Sequence, residues 1–145
     1  TNTIYKVNQE DEVSVFFESE ELENPNGLWV DNNCLIVATW GPMTNEATFE
    51  TSRKGRLLKL DIASKKTTFI TKNPVANFDG VVKYKNNYYA TDWTGGRLLK
   101  ISKSGDVTEI LTGFNQFADL GIDLEKGIVM IPEMSKNRFI TINLN

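Results

Sequence analysis

The chain has 145 residues, the size of one domain, and its 40% hydrophobic content is enough for a packed core. A net charge of −3 speaks against a general nucleic-acid binder, and no apolar run approaches the ~20 residues of a membrane helix. The absence of histidine excludes Ser-His-Asp and Cys-His catalysis within the chain, so any metal site draws mainly on oxygens and favours calcium or magnesium.

Helical periodicity is nearly absent. The apolar runs are short, β-branched and aromatic, and separated by Asn, Gly and Lys-Ser turns, which predicts an all-β chain. Residues 3–18 read as two strands. Residues 25–72 read as four strands, with an extra stretch, Pro42–Lys54, expected as a long loop. Residues 77–112 read as four more, and residues 117–145 as three.

These units repeat. The segments RLLKLDI, RLLKISK and RFITINL begin at Arg56, Arg97 and Arg138, with spacings 97 − 56 = 41 and 138 − 97 = 41. Four strands, a to d, per ~40 residues is the mark of a β-propeller blade. The chain supplies about three blades. Closed propellers usually need at least four, so the expectation is half of a six-bladed ring, completed by further chain or by a second copy. A start inside a strand, without Met, favours a fragment over a closing dimer.

The heads of strand a recur as Asn26-Gly27, Asp79-Gly80 and Asp119-Leu120-Gly121. Because the first strand of each blade lines the central channel, Asn26, Asp79 and Asp119 are expected to converge there as hard oxygen donors. Read alone, Asn-Gly and Asp-Gly are turn pairs. The ends of strand b place Trp40 and Trp93 in one ring of positions, and Asp92 and Glu133 in the next. The tryptophans read as a pocket wall or as inter-blade packing, and the three arginines as partners of Asp92 or Glu133. Cys34 reads as a small buried hydrophobe, Lys83 as solvated, and Glu18–Glu23 as a solvated loop.

Pro25-Asn26-Gly27-Leu28, Phe78-Asp79-Gly80-Val81 and Gly95-Gly96-Arg97-Leu98-Leu99-Lys100-Ile101 together resemble the C-terminal half of the SMP-30/gluconolactonase/LRE-like six-bladed propellers. NHL-type propellers look similar, and Tyr89–Trp93 resembles the YWTD repeat of receptor propellers. The first resemblance implies a metal-dependent lactonase acting on a small sugar lactone or ester. It implies Asn26 and Asp79 as ligands of one divalent cation, calcium before magnesium, with a third ligand outside this sequence. It implies Asp79 as general base. The positions at the strand heads and ends, apart from the resemblance, offer Asp119, Trp40, Trp93 and Glu133 as candidate pocket residues. The resemblance also implies a bacterial protein, secreted or periplasmic by analogy. The alternative from the same fold is a non-enzymatic propeller that binds a protein or carbohydrate on its loop face.

Overall fold

The computed structural model describes residues 1–145, and all regular structure apart from two single 3-10 turns is β. The chain opens with the antiparallel pair β1 (Thr3–Val7) and β2 (Val13–Glu18). A four-stranded sheet follows, built from β3 (Pro25–Asp31), β4 (Cys34–Thr39), β7 (Leu57–Asp61) and β8 (Thr67–Phe69) in that spatial order. Between β4 and β7 lies a hairpin of its own, β5 (Met43–Asn45) with β6 (Glu50–Thr51), so the stretch expected as a loop is partly ordered strand. The next sheet is β9 (Phe78–Tyr84), β10 (Asn87–Asp92), β11 (Arg97–Ser102) and β12 (Val107–Leu111). The last is β13 (Gly121–Asp123), β14 (Ile128–Glu133) and β15 (Arg138–Asn143).

Each sheet is an antiparallel meander, and the sheets stack face to face. This explains the unbroken apolar runs. In β4, Ile36 faces one neighbouring sheet and Val37 the other, and both are fully buried. In β10, Tyr88 and Ala90 pack toward the β4 sheet, while Tyr89 packs toward the β14 sheet. Side chains alternate across a strand, so a strand sandwiched between two sheets must be apolar at every position. The outer strands lie at the rim and bury less: Val107 and Ile110 of β12 are 39% and 37% exposed.

Three electrostatic details depart from the sequence reading. Arg97 pairs with Asp92, and Arg138 with Glu133, across their own hairpins as expected, and both carboxylates are buried. Arg56 has no such neighbour, because Thr39 occupies the matching place. It reaches instead to Glu23, which also takes a bidentate grip from Arg53 at 2.9 and 2.7 Å. Glu23, expected in a solvated acidic loop, is therefore buried. The 3-10 turn Glu20–Leu22, capped by Ser19, delivers it while sinking Leu22 into the core. Lys83 is ion-paired to Asp31 rather than solvated. Cys34 is half-buried, because the turn at Asn32 and Asn33 beside it is open to solvent.

Candidate functional site

The inner strand of each blade carries the same irregularity at its head. In the β3–β4 pair the register slips between Pro25 and Gly27, leaving Asn26 as the extra residue. In the β9–β10 pair Phe78 faces Asp92 and Val81 faces Ala90, so Asp79 and Gly80 together oppose Thr91. In the last blade Phe117 bridges Glu133 and Gly121 faces Met130, which again leaves one residue in excess around Asp119. A β-bulge of this kind re-aims the side chain it carries. Here it turns three polar side chains out of the alternation that would otherwise govern them. The freed Gly80 N–H is satisfied by Thr91 Oγ1 at 2.9 Å.

Asn26-Gly27 and Asp79-Gly80 lie inside strands, so they are not the turns that the dipeptides alone suggest. Neither glycine needs a positive φ. Their role is to let neighbouring blades touch. A Cβ on Gly27 would lie 2.6 Å from the Asp79 carbonyl oxygen, and one on Gly80 would lie 2.8 Å from Asp119 Cα. Close approach of the inner strands is what brings the three polar residues into a row.

Within that row Asn26 Nδ2 donates to Asp79 Oδ1 at 2.7 Å. Burial pushes the Asp79 carboxyl above its usual range and the nearby Asp119 charge pushes the same way, with Asn26 opposing both. Asp119 itself is exposed, accepts from the Leu120 N–H at 2.9 Å, and lines a separate groove with Met130 and Phe139.

Above Asn26 and Asp79 opens a cavity of about 390 Å³. Its apolar wall is Trp40, Phe49 and Trp93, with Pro25 and Met43 beside them. Trp40 is the middle of the wall: its ring lies 6.2 Å from Phe49, edge-on, and 6.4 Å from Trp93, tilted. Trp40 and Trp93 arrive from the ends of β4 and β10, just after the residues that pair with the bulged heads. Glu133 holds in the last blade the place of Asp92, one residue before that of the tryptophans, and does not line this cavity. Arg138 and the Asn115 N–H occupy its carboxylate, and the pull of Arg138 outweighs burial and keeps that carboxyl below its usual range. Phe49 was not singled out by the sequence. Its signal was a lone aromatic in an otherwise polar insertion.

Asn26 and Asp79 offer hard oxygens suited to calcium or magnesium. The amide now donates to the carboxylate. A half-turn of the amide would bring Asn26 Oδ1 beside Asp79, so the pair fits part of a cation's shell. No three His, Cys, Asp or Glu side chains converge in a way that would complete one.

No family model matches the sequence, and no curated protein matches it. Solved structures do resemble its fold. A chain of the nidogen/laminin complex superposes with a TM-score of 0.73 at 10% identity, covering 100% of this chain and 60% of that one. A gluconolactonase from Xanthomonas campestris gives 0.65 at 11% identity, covering 89% of this chain and 40% of that one. The extracellular domain of a putative hybrid two-component system from B. thetaiotaomicron gives 0.65 at 19% identity, covering 100% of this chain and 18% of that one. The chain thus spans 60% or less of each of these structures. Together with the meander sheets, these likenesses establish the fold as part of a β-propeller.

Proposed function

We propose that the cavity is the active site of a hydrolase that opens a small lactone or ester, with Asp79 as general base. The observation that carries this reading is the Asn26–Asp79 contact at 2.7 Å, set at the base of an aromatic-walled cavity of about 390 Å³. Cavities of this kind, mainly apolar with a few convergent polar groups, are the usual form of small-molecule sites.

In this reading Asn26 and Asp79 hold a divalent cation, calcium by preference, and the rest of the propeller or a second copy supplies the remaining ligands. A cation bound there supplies Lewis acidity, polarising the carbonyl that is attacked. The chain's own residues do the rest. Asp79 takes a proton from water as that water's oxygen bonds to the carbonyl carbon. The acyl–oxygen bond then breaks, and the proton passes to the departing alkoxide, leaving a hydroxy acid. The aromatic wall excludes water from one side of the reacting group.

The test is hydrolysis of γ-butyrolactone and of a sugar lactone by the full-length protein with calcium, with chelator, and as Asp79→Asn. Activity lost under both treatments supports the mechanism, and activity indifferent to both overturns it. Absence of any turnover, with retained ligand binding, would instead favour a propeller that binds without catalysis.

A further inference from the structure

The hairpin β5–β6 is present in one blade only. The distance from Gly27 to Gly55 is 55 − 27 = 28 residues, against 96 − 80 = 16 from Gly80 to Gly96 in the next blade. The insertion is firmly held. At its base Arg53 grips the buried Glu23, and the Ser52 N–H donates to the Pro42 carbonyl at 2.9 Å. At its far end the Trp40 indole N–H donates to the Phe49 carbonyl at 3.1 Å.

Phe49 itself sits in an unfavourable backbone conformation. Its φ is +57°, a region that bulky L-residues rarely occupy. Phe49 is nonetheless 62% exposed, and the ring contact it makes is the edge-on one with Trp40. A large ring held open to solvent, at a backbone cost, beside a cavity it lines, is the pattern of a ligand-contacting residue rather than of a core residue.

We propose that this hairpin selects the ligand, with Phe49 completing, beside Trp40 and Trp93, an aromatic row that takes the ligand through a flat ring substituent. The inference rests on the cavity being the substrate site. Ring against ring is the favoured contact of aromatic walls. Within this chain no Lys or Arg lines the cavity, so what its wall offers a ligand is aromatic contact rather than an ion pair.

The experiment compares α-phenyl-γ-butyrolactone with unsubstituted γ-butyrolactone on the full-length protein. Affinities are read by quenching of tryptophan fluorescence in an Asp79→Asn background, and kcat/KM in the background that retains Asp79. The expected result is that Phe49→Ala lowers the phenyl-to-unsubstituted ratio about fivefold, as loss of one ring contact should. Phe49→Tyr should retain the ratio. Phe49→Gly, which relieves the backbone, should lower it as Ala does. A ratio unchanged in Phe49→Ala, or lost equally in Phe49→Tyr, would overturn the proposal. If neither lactone is hydrolysed but the binding ratio still depends on the ring at 49, the hydrolase reading fails and this one stands. Hydrolysis with a ratio indifferent to residue 49 gives the reverse.

Discussion

Asn26 and Asp79 are 53 residues apart in the chain and 2.7 Å apart in space, each on the extra residue of a bulge at the head of its own blade. The contact therefore depends on two local irregularities and on the close stacking of two sheets. It gives the base of the cavity a defined polar pair rather than two independent side chains.

Replacement of Asp79 separates stability from activity. The Asp79 carboxyl is raised above its ordinary value by burial first and by Asp119 second. A carboxyl raised in the folded state binds its proton more tightly there than in the unfolded chain. It therefore costs stability as pH rises from the unfolded value toward the folded one, and that cost persists above it. Asp79→Asn is expected to unfold at a higher temperature than the parent at pH 7 in the presence of chelator, with the difference vanishing near pH 3. In the lactone assay the same variant should lose about 10²–10⁴-fold in kcat, as removal of a general base does. A variant that is both less stable and fully active would contradict the assignment.

The glycines of the inner strands should be unequal. Gly27→Ala places its Cβ 2.6 Å from the Asp79 carbonyl oxygen and 2.8 Å from Gly80 Cα, all backbone atoms that cannot turn aside. Gly121→Ala meets nothing nearer than Met130 Cε at 3.8 Å. Urea unfolding should show Gly27→Ala destabilised by about 1–3 kcal/mol, and Gly121→Ala changed by no more than about 0.5 kcal/mol.

Glu23 ties the insertion to its blade. Glu23→Gln leaves Arg53 and Arg56 without a counter-charge, and because their side chains are 42% and 18% exposed the penalty is moderated by water. A loss of about 2 kcal/mol at pH 7 is expected, less than for a pair wholly removed from solvent. The acid limb should also change. Burial alone would raise the Glu23 carboxyl, but the hydrogen bonds and charges of Arg53 and Arg56 outweigh it and lower it from its ordinary 4.5. Its contribution is therefore complete above about pH 4.5 and is lost as pH falls through the lower, folded value. The variant should show a shallower fall of stability than the parent below that pH.

Residues 1–145 expressed alone should self-associate. Large apolar side chains stand exposed at both ends of the stack: Val13 at 66% and Val7 at 61% on the opening hairpin, and Phe139 at 73% on the last blade. Such surfaces seek cover. Sedimentation velocity should find species larger than 16.4 kDa, and a stable monomer that binds no hydrophobic dye would contradict the need for further blades.

Much of the architecture was legible in the sequence because its signals are local. The 41-residue spacing of Arg56, Arg97 and Arg138 marks the third strand of each blade, and the continuous apolar runs at Cys34–Ala38 and Tyr88–Ala90 mark strands buried on both faces. The pairing of Arg97 with Asp92 and of Arg138 with Glu133 follows from facing positions in a hairpin. Arg56 breaks the rule, and its partner lies 33 residues away. Thr39 in the place of an acid was the hint that a carboxylate had to come from elsewhere.

The site was legible only in part. Its polar members could be named from their repeated place at the head of strand a, but not the reason for the glycines beside them. Asn-Gly and Asp-Gly look alike whether they turn a chain or let two strands touch, and only the distance between neighbouring blades separates the two. The aromatic wall is likewise a tertiary product. Trp40 and Trp93 are separated by a whole repeat, and Phe49 joins them only because a strained backbone and one indole hydrogen bond fold the insertion over the cavity. The sequence by itself determined the strands, their order and the length of the repeat, since these follow from alternation and turn chemistry within a few residues. The stacking of the blades decided which side chains meet, because those contacts join residues that no local pattern relates.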